Sequence, residues 1–474
     1  MTRITNFGGN IRFQPTARYE PRSEEEVLAI LERHARGRIR AIGSLHSWSD
    51  VVACDDVVID LRRLDRVEVE RGEDGSIQAT VGAGCTLGRL LRVLRARAGA
   101  TLPSLGAVTV QRVAGAISTG THGSGAPSLS NLVLSVRAAA YDPDTGRPRI
   151  YEWSDGPELR AARCALGCMG VILSLRVRAV PAFCVEETVV RRATIDEILA
   201  EEDRFPLQQI LLLPYSWTYL VFQRRVVEGD GAPKPSRTAP LHLAYTRLYI
   251  DAGLHLLLRA LLRWGRRPEV VRWFYCHVLP RSFIRGWTVV GRSDHVLTFR
   301  HDLFRHEEME VFVPARHLRE AIALVRHVTS VFAGIDDDAA NTAATDLERV
   351  GMLEELRAAR GSYTHHYPLF FRRVLPDDTL ISMTAGAGEP YYSISFFTYL
   401  RPEARQPFRA YASFLARSLC RLYGARLHWG KYFPLSVTEV EPLYPRLEEF
   451  RQICRRVDPH GVFRNAFTRR VLGL

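Results

Sequence analysis

Residues 104–125 read SLGAVTVQRVAGAISTGTHGSG, and the reading of this stretch decides what kind of fold the chain adopts. Five glycines (106, 115, 120, 123 and 125) alternate with alanine, serine and threonine, and Arg112 is the sole formal charge. Side chains this small cannot fill a core. They suit extended backbone laid against a flat or anionic ligand, offering N–H groups and small hydroxyls. Val108, Val110, Val113 and Ile117 punctuate the run, which a flexible linker would not need. The stretch predicts a ligand cradle.

Towards the N-terminus, residues 77–81 read as a strand ending in Gly82-Ala83-Gly84. Thr86 then caps a helix that places Leu87, Leu90, Leu91 and Leu94 on one face. That order is half of an α/β unit, but its glycines do not spell G-x-G-x-x-G, so a Rossmann NAD site is not supported. Residues 40–50, RAIGSLHSWSD, follow the same logic: a strand over 39–42 stops at Gly43-Ser44 and presents His46 from a turn. A helix over 23–36 begins at Ser23 with Glu26 completing a capping box, and 57–61 reads as a strand. Downstream, strands at 131–141 and 148–153 flank a DPDTG turn. A helix at 157–166 leads through LGCMG to the alternating strand 171–180.

The whole chain, at 474 residues, is long enough for two or three domains. Its net charge of +12 is made almost entirely with arginine; Lys234 and Lys431 are the two lysines among 64 basic residues. The arginines interleave with acids, and no helix-turn-helix, zinc-finger or RNA-recognition motif is present, which argues against a nucleic-acid partner. Arginine elsewhere stands in for lysine, as codon usage in a GC-rich genome favours. Retention of Lys431 in HWGK therefore points to a defined contact. The eight cysteines form no disulfide framework and read as reduced thiols. The N-terminus lacks an apolar signal region, so a cytoplasmic protein is expected.

A strand ending in Gly-Ser-x-His-Ser, then GAG with a helix, then GAISTGTHGSG, then G-C-M-G-V-I resembles the FAD-binding domain of the vanillyl-alcohol-oxidase superfamily. Within it the chain is most similar to the sugar-lactone and alditol oxidases. The resemblance covers about residues 13–182 and returns in HWGKYF (428–433) and YPRLEEFRQICRRVDPHGVFRNAF (444–467). It implies an α+β fold: a two-subdomain FAD-binding domain over 1–182, and an α+β substrate (cap) domain over 183–427 with a large antiparallel sheet flanked by helices. A C-terminal segment, 428–474, would return to the flavin domain. It also implies FAD joined covalently through His46. The matching cradle residues are Gly43, Ser44, Leu45, Ser47, Trp48, Ser104, Gly106, Val113, Gly115, Ala116, Thr119, Gly120, His122, Gly123, Gly170, Val171, Ile172 and Lys431.

The second half sets the substrate. EEMEVFVP (307–314), 368–382 and 391–400 read as strands of one sheet, and 229–240 is a Pro/Gly-rich loop. Segment 241–285 reads as a pair of Leu/Arg-rich helices, too short in apolar run for the roughly 20 residues that span a bilayer. A buried hairpin with arginines towards solvent is expected there, with peripheral contact to an anionic membrane as the alternative. HHY at 365–367 and DDD at 336–338 lack partners at metal-site spacing and read as loop polarity, with no metal. Sugar-oxidising relatives carry P-x-E-x-R in the substrate sheet; here the segment is Pro368-Leu369-Phe370-Phe371-Arg372, with Phe370 in place of the glutamate.

Lys431, His428 and Arg372 are the catalytic candidates, and Phe370, Arg372, Ser395 and Phe396 the substrate candidates. The implied reaction is oxidation of a CH–OH group of a sugar lactone, alditol or modified sugar by hydride transfer to flavin N5, with oxygen as acceptor giving hydrogen peroxide. Phe370 keeps two alternatives open. One is a dehydrogenase passing electrons to a quinone or carrier from a more apolar or glycosylated alcohol. The other is a non-catalytic, membrane-peripheral flavoprotein.

Overall fold

The computed structural model describes residues 3–227, 234–264, 268–299, 303–336 and 341–474. The chain divides into two compact units: Met1–Ala182 with Leu375–Gly388 and His428–Leu474, and Phe183–Val374 with Glu389–Leu427.

The first unit holds a two-stranded antiparallel pair, Ile4–Thr5 with Arg12–Phe13, and two larger sheets. One is parallel, with Val57–Asp60 between Ala17–Tyr19 and Ile39–Ile42. Burial on both faces explains the continuous apolar run Val57-Val58-Ile59. The other is antiparallel, in the order Pro148–Trp153, Val133–Tyr141, Val171–Pro181, Ile77–Gly82, Val67–Arg71, with Ala100–Thr101 added on Val171–Pro181. Helix Leu87–Ala98 starts where Thr86 accepts from the Arg89 N–H, and it buries Leu87, Leu90, Leu91 and Leu94. Helix Glu24–Arg33 is capped by Ser23, but the expected capping box is offset by one residue: the Glu26 carboxylate accepts from the Arg22 N–H.

The second unit is built on an eight-stranded antiparallel sheet. Its order is Val289–Arg292, Cys184–Arg192, Tyr219–Val226, Gln209–Leu212, Leu369–Val374, Tyr391–Thr398, Glu307–Pro314, Arg426–Leu427. Helices Leu318–Phe332 and Gln406–Tyr423 cover one face; Phe396 packs there against Tyr411, which in turn meets Phe332. Residues 239–264 and 268–282 lie on the opposite face as a succession of short helices, Ala239–Tyr245, Leu254–Trp264, Pro268–Trp273 and Leu279–Ser282, with π-type turns over Thr246–Gly253 and Phe274–Val278. Phe283, just after it, meets Phe222 of the sheet edge-on. Among the described residues no helix is long and apolar enough to cross a membrane.

Two expectations are corrected. The strand read over 368–382 ends at Val374, and Leu375–Gly388 leaves the second unit for the first. Pro376 cannot donate to a ladder, and the buried Asp377 carboxylate instead gathers the Thr379 N–H and the hydroxyls of Ser128, Thr379 and Ser382. The HHY run is core rather than loop polarity: His365, His366 and Tyr367 are all buried, and His366 Nε2 accepts from the Tyr399 N–H at 3.2 Å. Of the DDD run, Asp336 pairs with Arg360 at 2.8 Å, and Asp337 and Asp338 lie outside the described residues. All eight cysteines are free.

Candidate functional site

In the first unit, the turn after Ile39–Ile42 and the HWGK turn are knitted together. Trp48 N–H donates to the Gly430 carbonyl at 2.8 Å, Ser47 Oγ donates to the same oxygen at 3.1 Å, and Ser49 Oγ donates to the Trp429 carbonyl at 2.6 Å. Leu45 sits at φ 57°, a left-handed conformation that costs a branched residue energy and swings His46 out of the strand direction. Phe7 stacks on the His46 ring at 4.4 Å. Lys431 Nζ lies 4.4 Å from the centre of the Trp48 ring, a cation–π contact. His428 Nδ1 accepts from the Gly430 N–H at 3.0 Å, which fixes the ring proton on Nε2.

These turns wall a cleft lined by bare backbone, small hydroxyls and a few polar side chains. Gly43, Ser44, Leu45, His46, Ser47, Gly115, Ala116, Thr119, Gly170, Ile172, His428 and Lys431 line it. Other predicted cradle residues stand behind that lining. Val113 and Val171 are core, and Trp48 is buried under Lys431. Gly106, Gly120 and Gly123 are close-packing positions: a Cβ there would meet Thr121, Met383 or the Leu105 carbonyl within 3 Å. His122 donates from Nδ1 to its neighbour Gly123 and tilts against His428 at 5.9 Å; Ser104 Oγ is buried near this region without a partner.

The cleft also brings in Arg40, Gln111, Arg112, Ser118 and Gly167, which the sequence reading passed over. Arg112 was legible as the single charge in the glycine-rich run. Arg40 is structural: its guanidinium donates to the carbonyls of Phe463, Val51 and Leu166.

FAD fits this lining. A Cβ on Gly115 would project into open space, so the cleft approaches bare backbone there. Gln111 Oε1 and Arg112 Nε are buried with no hydrogen-bond partner, and Arg112 has no carboxylate partner among the described residues. A ribityl or pyrophosphate group meets those needs.

The second unit carries a different kind of site. Phe370 stands directly opposite Ser395, and Ser395 opposite Glu310, so one row across three strands points to one face of the sheet. The adjacent row on that face is Arg372, Ser393 and Phe312. Burial pulls the Arg372 guanidinium below its ordinary range, and the charges of Glu310 and Glu308 oppose that pull. Phe396, a predicted substrate contact, points to the other face and is fully buried there, because successive strand residues alternate. Glu310 is the acid that sequence reasoning missed; a carboxylate inside the otherwise apolar run MEVFV was its signal. The glutamate expected at 370 is absent from that position but present in the same row, two strands away.

Beside this row lies a closely packed apolar cluster, in which Leu211, Phe222, Ile250, Leu254, Phe283 and Phe370 face one another. Phe370 stacks on Tyr367 at 5.7 Å and meets Phe397 edge-on at 5.5 Å. The one histidine in the cluster, His255, bonds to the Tyr399 hydroxyl, and burial pushes it down to about 4, so it is neutral.

Comparison with known proteins agrees with this division. The family described as D-arabinono-1,4-lactone oxidase matches residues 175–471, and an FAD-binding domain matches 15–143. A long-chain alcohol oxidase from an uncultured marine euryarchaeote is 45% identical over 98% of this chain and 96% of its own. L-gulono-1,4-lactone dehydrogenase of Mycobacterium tuberculosis is 29% identical over 99% of both chains. The cholesterol oxidase of B. sterolicum has the same fold, with a TM-score of 0.75 at 15% identity over 99% of this chain and 96% of the other. The chain belongs to the D-arabinono-1,4-lactone oxidase family and is an FAD-dependent oxidoreductase of the vanillyl-alcohol-oxidase fold.

Proposed function

We propose that this chain oxidises the hydroxyl-bearing carbon of a long-chain, apolar alcohol, with oxygen as the electron acceptor. The observation that carries the reading is Phe370 itself, on the sheet face beside Ser395 and Glu310, with side chains around it that are almost wholly hydrocarbon and aromatic. Phe370 would meet an alkyl chain well and a polyol badly, since a buried hydroxyl without a partner costs free energy. The 45% identical relative that is named a long-chain alcohol oxidase supports the same substrate class.

FAD, when bound, supplies the hydride acceptor at N5. Glu310 takes the hydroxyl proton, and the Arg372 guanidinium steadies the oxygen as charge gathers on it. Ser395, between Glu310 and Phe370, orients the hydroxyl by hydrogen bonding. Lys431 offers positive charge on the flavin side, and Trp48 beneath it holds that charge in place. His46 would tether the flavin through a covalent bond from its ring. Gly43, Ser44, Gly115, Thr119 and Gly170 of the cleft lining would hold the cofactor, and Arg112 would supply positive charge for its phosphates.

A second reading, a sugar lactone as substrate with a carrier as acceptor, draws support from the polar row Glu310, Ser395, Arg372 and Ser393. Anaerobic titration distinguishes the two. A saturated C12 alcohol should bleach the flavin, and L-gulono-1,4-lactone should not; the reverse result refutes the alcohol reading. Peroxide should form in air at the rate of alcohol consumption, and dye-dependent turnover without peroxide would replace oxygen by a carrier. Yellow colour should remain with acid-precipitated protein and become extractable in His46→Ala.

A further inference from the structure

The helices over 239–264 and 268–282 use their inner face to pack on the apolar cluster around Phe370, through Ile250, Leu254 and, just beyond, Phe283. Their outer face is also apolar. Of ten large hydrophobic side chains that stand exposed among the described residues, eight fall between 241 and 303; Leu248 is 74% exposed and Trp273 57%. Leu256 and Leu257 are exposed on the very helix whose Leu254 and Leu258 are buried, so its apolar face is wider than the core can cover. In a water-soluble protein such a helix is sunk in a core or pressed against something apolar.

The charge along this segment is predominantly positive. Residues 234–285 contain ten lysines and arginines against two acids, Asp251 and Glu269. Asp251 is buried and paired with Arg247 at 2.7 Å, whereas Lys234, Arg237, Arg259, Arg281 and Arg285 are exposed. An apolar protein partner would satisfy the leucines and leave this excess of cations unmatched. A bilayer surface rich in anionic headgroups matches both features: leucine and tryptophan enter the acyl boundary while arginines meet phosphate. The helices are too short to span, so the contact lies in the plane of the interface.

We propose that the outer face of 239–284 is a membrane-docking surface for anionic bilayers, and that the protein binds there peripherally. The proposal goes beyond the choice of substrate, and vesicle binding is read with no substrate present, so each idea can fail alone. Holoenzyme is sedimented with vesicles of phosphatidylcholine containing 30% phosphatidylglycerol, and with vesicles of phosphatidylcholine only. The expected result is strong pelleting with the anionic vesicles, at least tenfold weaker binding to the neutral ones, and partial release by 0.5 M salt. Leu248→Ser/Leu256→Ser/Trp273→Ser should lose at least tenfold in binding while keeping its flavin absorbance. Val110→Ser, an exposed valine of the other unit, should bind as before. Wild-type protein that stays in the supernatant with anionic vesicles overturns the proposal. So does a triple variant that pellets equally, or a chain that dimerises in solution through these residues and ignores vesicles.

Discussion

The cleft of the first unit and the sheet face of the second recognise their ligands by opposite means. The cleft is made of turns, and its character lies in what is missing: side chains at Gly43, Gly115 and Gly170, and a partner for Gln111 Oε1 and Arg112 Nε. The sheet face is made of side chains held in register, Phe370 against Ser395 against Glu310. A cofactor common to many relatives is met by bare backbone, which tolerates little change. A substrate is met by protruding groups that can be exchanged one at a time without disturbing the ladder. The two regions should therefore fail differently when altered.

The largest effect is expected from Glu310→Gln. Losing the base should slow anaerobic flavin reduction by about 10³-fold and leave flavin content unchanged; a variant reducing its flavin at the wild-type rate would remove Glu310 from the chemistry. Phe370→Glu comes next. It should lower kcat/KM for a C12 alcohol by roughly 10²-fold, about the 1.5–3 kcal/mol carried by a buried phenyl group. Turnover of a polar alcohol should rise in the same assay. If both substrates fell together, Phe370 would be a packing residue and not a selector. On the cofactor side, Gly115→Val fills space that nothing else occupies, and flavin per polypeptide should drop about tenfold while far-UV circular dichroism is kept.

The smallest effect is on acid stability. Burial holds His255 and His366 down to about 4, below the 6.5 of an unfolded histidine. Between those values the unfolded chain binds protons that the folded one refuses, so stability falls as pH drops from about 6.5 towards 4. The loss is at most about 3 kcal/mol per histidine. Asp458, pushed up to about 6 by burial, acts the other way from about 6 down to 4 and offsets part of the loss. The melting temperature should decline by a few degrees from pH 7 to 5, more steeply in Asp458→Asn; an unchanged melting temperature would show that these rings are hydrated.

The contrast also explains what could be read before any coordinates. The cleft is encoded by local spacing, so GSLHS, the glycine-rich run and HWGK each announce themselves within a few residues. The row across the sheet depends on pairing Phe370 with Ser395, and Ser395 with Glu310 on a strand 85 positions earlier, and register is invisible in one sequence. Thus Phe370 could be noticed as an odd residue, while the carboxylate facing it across Ser395 could not. The same blindness let Phe396 pass for a substrate contact, because which face it takes depends on where the ladder begins. At 375–388, Pro376 marked the end of the strand, but nothing local revealed that the next residues would join the other unit.

One consequence lies in the order of synthesis. The cleft turn is closed by Gly430 through a bond spanning 383 positions, and Ile39, Arg40 and the carbonyls of residues 50, 51 and 53 are tied to Val462, Phe463 and Asn465. A chain emerging from the ribosome cannot complete the cofactor compartment until its final fifty or so residues are free. Loop closure over such a distance is slow, and the early segments wait as a partly formed body with exposed strand edges. Flavin capture would then report the end of folding, and a ribosome-stalled chain ending before Trp429 should be colourless even in excess flavin.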